Sequence, residues 1–214
     1  MKKKFLFCFT LISLGVCGQN YKGTIYFEDG TVRQGNTDFI AGGSRKINFQ
    51  ENNSTKTERI ETKTIKKIEY LDSKTQEPIV FERLDYISGY KKNFTVPIIS
   101  TAWFKKEKTT GDITAYSTGY TRPGHYNMAS GNMFNTTIVN TWVFQYKDDQ
   151  PKLIYWMIDG APFRVKYQNI WINQFFKEIC PSLVKEHLEK KIIIEDDPFP
   201  LLDFYNANCN PNNK

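Results

Sequence analysis

Two histidines, two carboxylate clusters and a distal pair of cysteines are the residues whose types and spacing could carry chemistry. His125 sits in a stretch rich in Gly, Pro, Ser and Asn, beside Tyr120, Arg122 and Tyr126, with Trp142 further along the chain. Aromatic faces next to polar forks are how carbohydrate and peptide sites are often built. Tyr120, Arg122, His125 and Tyr126 are therefore the candidate ligand-binding set, on a segment spanning 117–135. A hydrolase would instead need His125 to face two carboxylates across a cleft. His187 falls on the apolar side of a short helical pattern and reads as a core or boundary histidine. Asp148-Asp149 reads as a turn, and Glu195-Asp196-Asp197 as a helix start.

Common catalytic motifs are absent. The chain has no HExxH, no CxxC, no Asp/Asn-rich calcium loop, no Gly-x-Ser-x-Gly elbow and no Gly-rich phosphate loop ahead of a helix. The expectation is a non-enzyme with no metal, no cofactor and no catalytic residue. Lys and Arg number 29 against 23 Asp and Glu, a net charge of +6. The basic residues are dispersed in pairs such as Lys66-Lys67, Lys91-Lys92 and Lys105-Lys106 rather than gathered on one face. Nucleic acid is thus not an expected partner. A mild attraction to acidic envelope polymers is compatible with the charge.

The address comes from the first residues. Lys2, Lys3 and Lys4 precede an apolar run from Phe5 to Val16, and Val16-Cys17-Gly18 offers a cleavage site. This is the pattern of a secretory signal peptide over 1–18, with Gln19 as the expected first residue afterwards. Loss of the three lysines takes the charge from +6 to +3. An alternative treats Leu14-Gly15-Val16-Cys17 as a loose lipobox, with Cys17 lipidated and the chain anchored as an outer-membrane lipoprotein. The periplasm or the exterior is then the expected location, and membrane contact is expected only through Cys17.

Of the four cysteines, Cys8 and Cys17 lie in the leader, which leaves Cys180 and Cys209. An oxidising compartment would allow one intramolecular bridge between them. The alternative is two buried free thiols. Closing a loop of about thirty residues is worth roughly 3–4 kcal/mol in the chain-entropy model.

The elements that must position these residues are strands first and helices last. Tyr21–Glu28 and Thr31–Gly35 flank Asp29-Gly30, a hairpin signal in which both turn residues would take positive φ. Short strands follow at 46–50, 59–64 and 65–71. The pattern up to about residue 75 resembles a small, strongly bent β-barrel of the Sm-like type. Strand patterns continue over 79–116, where Pro97 points to an edge or a bend. Residues 117–135 show no period and read as an irregular loop. Strands resume over 138–146 and 153–158. Trp171, Phe175 and Ile179, with Ile172 and Phe176 beside them, have helical spacing. Pro181 ends that helix and opens the next, where Leu183, Val184, His187 and Leu188 would make an apolar face. Asp197-Pro198 starts a last helix with Leu201, Leu202 and Tyr205 inward, ending near Asn208. The predicted class is α+β, organised as a leader (1–18), a barrel-like part (19–75), an antiparallel β region (76–165) and a helical tail (166–214).

Several segments together resemble a family of uncharacterised secreted proteins from Bacteroidetes. They are the Asp29-Gly30 hairpin, Trp103-Phe104-Lys105-Lys106 with Gly111-Asp112-Ile113-Thr114-Ala115-Tyr116, and Trp142-Val143-Phe144-Gln145-Tyr146-Lys147-Asp148-Asp149. The sharpest is the tail with Cys180-Pro181 and Tyr205-Asn206-Ala207-Asn208-Cys209. The resemblance implies an envelope or secreted location and a paired tail; it brings no activity and no catalytic residues. The functional expectation is an exported, non-catalytic interaction or structural module, with an envelope protein or glycan as partner. The alternatives are a glycan- or peptide-binding module using 117–135, and an unrecognised hydrolase.

Overall fold

The computed structural model describes residues 21–72, 74–91, 95–122, 126–127, 132–133, 137–159, 161–162 and 165–213, with the backbone alone at 120–122, 126–127, 132–133 and 137. The protein is α+β: an eleven-stranded sheet is followed by three short helices at the C-terminal end.

The hairpin of β1 (Tyr21–Phe27) and β2 (Val32–Thr37) forms where the sequence places it. Its turn differs from the expectation. Gly30 takes positive φ (86°), while Asp29 does not. The Asp29 carboxylate instead accepts the Thr31 N–H at 2.9 Å, and the Phe27 N–H reaches the Thr31 carbonyl. A longer loop with one left-handed glycine thus replaces the two-residue turn.

Strands β3 (Lys46–Glu51) and β4 (Thr57–Glu61) extend the sheet beyond β2, and β4 ends it. On the other side of β1 lies β5 (Ile65–Leu71). A register shift between Tyr26 and Phe27 sets Lys66 as the extra residue of a bulge, which lets Ile65 and Ile68, three apart, both be buried. Ile25, Ile47, Phe49, Ile65 and Ile68 fill this wing, none more than 2% exposed. Tyr70 is buried with them. Its hydroxyl donates to the Asp38 carbonyl and accepts the Ile40 N–H, both at 2.9 Å, which satisfies a loop backbone that burial has cut off from water.

Strands β6 (Pro78–Lys91) and β7 (Val96–Thr110) are long enough to serve two neighbourhoods. The start of β6 pairs with β5, and its remainder with β7. β7 meets β8 (Ile113–Arg122) only from Lys105 onward. Pro97 therefore lies on the half of β7 that has β6 alone beside it, as a missing N–H requires. β8 pairs with β11 (Thr137–Tyr146) along its whole length, and β11 with β12 (Lys152–Ile158). β12 returns to β6: Lys152 stands opposite Ile87 in parallel, and the Ile87 N–H donates to the Pro151 carbonyl at 2.8 Å. Strands β6, β7, β8, β11 and β12 thus form a ring, with a split between the first half of β7 and the second half of β8.

The strand β8 overruns the irregular stretch expected at 117–135. Ser117–Arg122 are paired strand, and β9 (Tyr126–Asn127) pairs with β10 (Asn132–Met133). Gly119 misled the composition reading. It is a strand glycine facing Asn140, whose side-chain oxygen would lie 2.8 Å from an added Cβ. A two-residue edge strand, β13 (Ala161–Pro162), completes the sheet beyond β12.

Helix α1 (Val165–Phe176) buries Gln168, Trp171, Ile172, Phe175 and Phe176, the spacing of one helical face. Pro181 opens α2 (Pro181–Leu188) as expected, but Leu188 is 58% exposed and only Leu183 is fully buried there. Val184 packs half-buried against the core, while Leu188, the last residue of the helix, stays open to solvent. α3 (Phe199–Asn208) buries Leu201, Leu202 and Tyr205, and the Asp197 carboxylate accepts the Phe199 N–H at 2.9 Å. The three helices cover the outer face of β11 and β12 through Phe144, Ile154, Tyr155 and Met157. Cys180 and Cys209 are disulfide-bonded, Cα to Cα 5.6 Å, tying the start of α2 to the end of α3.

Candidate functional site

Strand alternation decides what faces the interior of the ring. Leu84, Tyr86, Ala102, Phe104, Tyr116, Val143, Leu153 and Trp156 cluster there, joined by Trp171 from α1. Phe104 packs edge-on against Tyr86, ring centroids 5.0 Å apart, and closes one end. Toward the split the inward residues become small or hydroxylated. Thr118 and Thr141 stand directly opposite each other on β8 and β11 and are 9% and 8% exposed. The Ser88 hydroxyl lies 2.8 Å from that of Ser100 and also reaches the Ile98 carbonyl. Tyr86, Ser88, Ala102, Thr118, Thr141, Leu153 and Trp156 thereby bound a cavity of about 660 Å³. That is the size of pocket that takes a small organic ligand.

The loop from Asp38 to Arg45 forms the remaining wall. It comes from the β1–β5 wing and lies across the split. The Trp103 N–H donates to the Gly42 carbonyl at 3.2 Å. On the other side Gly42 is so close to Thr118 that an added Cβ would fall 2.6 Å from its hydroxyl oxygen. Glycine is needed there because the backbone itself fills the contact. The loop is held from behind by Tyr70 at Ile40, by the Ser44 hydroxyl on the Ala41 N–H (3.0 Å), and by the Thr62 hydroxyl on the Ser44 carbonyl (2.7 Å). The wall is therefore preformed.

Across the same loop lies a groove of about 420 Å³, which shares Gly42, Gly43, Ser44 and Ala102 with the cavity. Its charged residues are Arg45, Lys46, Glu61, Lys63 and Arg83. Lys63 (2.9 Å) and Lys46 (3.3 Å) pair with Glu61, and these hydrogen bonds hold its carboxyl below the usual range. Arg83 is half-buried and Arg45 exposed, and neither side chain has a hydrogen-bond or carboxylate partner among the described residues. The indole N–H of Trp103, in the groove wall and 2% exposed, also has none there.

The sequence candidates fall elsewhere. Tyr120 and Arg122 lie on β8 beyond Thr118, and Tyr126 lies on β9. His125 and Cys17 lie outside the described residues. Trp142 does not join them. It faces the helices and packs edge-on against Phe199 at 5.2 Å, because its neighbour Thr141 takes the inward position. His187 is half-buried, 3.0 Å from the Asn169 side-chain oxygen, and burial pushes its pKa down. Asp148 and Asp149 form a turn after β11. Glu195 uses its carbonyl to accept the Tyr155 hydroxyl at 2.7 Å. Burial, with Glu82 beside it, raises the Tyr116 phenol above its ordinary value. Among the described residues no group of three or more His, Cys, Asp or Glu side chains could hold a metal ion.

Sequence reasoning missed Thr118, Thr141, Ser88, Ala102, Arg45 and Arg83. Only strand register brings them together, and none stands in a recognisable motif. No family model, curated protein or solved structure matches the chain. No helix among the described residues is long and apolar enough to cross a membrane.

Proposed function

We propose that this protein is an exported, non-catalytic binding module whose ligand enters the cavity inside the β6–β7–β8–β11–β12 ring. The observation that carries the reading is the preformed cavity of about 660 Å³, walled by aromatic and aliphatic side chains with a few hydroxyls. Such a wall takes up an apolar body and orients it with a small number of hydrogen bonds. The hydroxyls of Ser88, Thr118 and Thr141 supply those bonds. Export is supported by the charged and apolar leader, by the resemblance to secreted Bacteroidetes proteins, and by the Cys180–Cys209 bridge, which an oxidising compartment favours. The 117–135 segment keeps a part in this reading, since Thr118 is one of the cavity residues and Tyr120 and Arg122 follow it on the same strand.

The test uses the neutral fluorophore N-phenyl-1-naphthylamine on the purified, disulfide-bonded protein. Saturable binding is expected, with affinity falling about tenfold or more in Ala102→Phe, which fills the cavity. Thr141→Phe serves as a second filling variant if the first misfolds. Absence of binding to the wild-type protein, or unchanged binding in a folded filling variant, overturns the reading.

A further inference from the structure

Resting on that reading, we infer that the ligand is an anionic amphiphile: an apolar tail in the ring cavity, ended by a carboxylate or phosphate that Arg83 and Arg45 hold in the adjoining groove.

The cavity and the groove meet at one rim. Gly42, Gly43, Ser44 and Ala102 line both. β6 and β7 explain how two unlike surfaces come so close. Leu84 pairs with Ala102 and faces the ring interior, while Arg83 pairs with Trp103 and faces the groove. Successive residues of a strand point to opposite faces, so one two-stranded ribbon presents Leu84 and Ala102 inward and Arg83 and Trp103 outward, where Arg45, Lys46 and Lys63 from the wing join Arg83. At Ala102 β7 has no strand neighbour on its outer edge, because pairing with β8 begins only at Lys105. The Gly42–Ser44 backbone lies along that edge, so a ligand passes between the two surfaces at the rim that Ala102 shares with Gly42, Gly43 and Ser44.

Charge then selects the head group. Four of the five ionisable side chains in the groove are basic, and the single carboxylate, Glu61, already has Lys46 and Lys63. Arg45 and Arg83 remain as guanidinium groups without partners among the described residues, and Arg83 is half-buried. A guanidinium presents a planar fork of donors that matches a carboxylate or phosphate. The two arginines come from distant parts of the chain, the β2–β3 loop and β6. The Thr62 N–H on the Arg45 carbonyl, at 2.9 Å, fixes the loop that carries Arg45. A neutral ligand would leave both charges unused, and a cation would be repelled.

The experiment compares dodecanoate, dodecyl phosphate and neutral dodecan-1-ol as displacers of N-phenyl-1-naphthylamine, in wild-type protein and in the Arg45→Gln/Arg83→Gln double variant. The readout is the ratio of anion to alcohol affinity, which cancels any general loss of cavity binding. One or both anions should bind about tenfold or more tighter than the alcohol in wild type. In the double variant the ratio should fall to within about twofold of unity, and added salt should shrink the wild-type preference. Equal affinity for alcohol and both anions overturns the head-group assignment while the apolar-cavity reading stands. An anion preference that survives in the double variant overturns the assignment to these arginines. If the fluorophore itself does not bind, the underlying reading fails and this inference goes with it. Should the double variant misfold, Arg83→Lys and Arg45→Lys singly carry the test: a preference unchanged in both would contradict a planar fork at the site.

Discussion

The β1–β5 wing and the β6–β12 ring are built from the same kind of strand, yet one is filled and the other is hollow. In the wing the inward positions hold Ile25, Ile47, Phe49, Ile65 and Ile68, and the Tyr70 hydroxyl beside them is doubly hydrogen-bonded. In the ring, Phe104, Tyr116 and Val143 fill one end, but Ser88, Ala102, Thr118 and Thr141 occupy the other. Space inside a sheet is thus decided by side-chain volume at inward positions, not by strand number. The wing stabilises; the ring keeps room for something else.

Truncation in the filled wing should have the largest effect. Phe49→Ala should cost about 3–5 kcal/mol in guanidinium unfolding, whereas Thr141→Ala beside the existing cavity should cost about 1 kcal/mol. Equal costs would break the comparison. Next comes the staple. Replacing both Cys180 and Cys209 by alanine should lower stability by about 3–4 kcal/mol. Hydrogen exchange should then rise in α2 and α3, which pack on the ring, and not in β1–β5. Acceleration in the wing instead would show that the two regions unfold as one.

Tyr70→Phe should cost about 1–3 kcal/mol, since the buried Ile40 N–H loses its acceptor. It should also loosen the loop that walls the cavity, seen as weaker fluorophore binding. A destabilised protein with unchanged binding would separate the wing from the cavity wall. The smallest effect is a pH dependence on the helical side. Burial lowers the His187 pKa in the folded state relative to the ordinary 6.5. Above that value both states are neutral there and nothing is gained or lost. As the pH falls below it, the unfolded chain takes up the proton first, and stability declines toward the lowered folded-state value. His187→Gln should flatten that slope in urea midpoints measured between pH 7 and 5. An unaltered slope would place the titrating group elsewhere.

Local chemistry was enough to read the helical tail. Apolar spacing at Trp171, Ile172, Phe175 and Phe176 and the proline at 181 act within one or two turns and form where their residues stand. However, α1 stops at Phe176, short of Ile179, and the Asp197 carboxylate accepts the Phe199 N–H from one residue before the N-cap, Pro198. The same holds for most strands and for the edge position of Pro97. Composition failed at Ser117–Arg122, where Gly and Ser suggested a loop. There a long-range partner, β11, supplies the backbone hydrogen bonds that propensity does not ask for.

By itself the order of residues determined the α+β class and left Cys180 and Cys209 as the only cysteines outside the leader pattern, because periodicity, turn chemistry and composition are properties of neighbouring residues. The cavity and its cationic rim were decided by tertiary structure alone. Thr118 meets Thr141 through register, Gly42 reaches Trp103 and Thr118 through a loop from another part of the sheet, and Arg45 joins Arg83 only once the chain has turned back on itself. Contacts between residues so far apart in sequence have no local signature, since their energy appears only after the intervening chain has been closed into place.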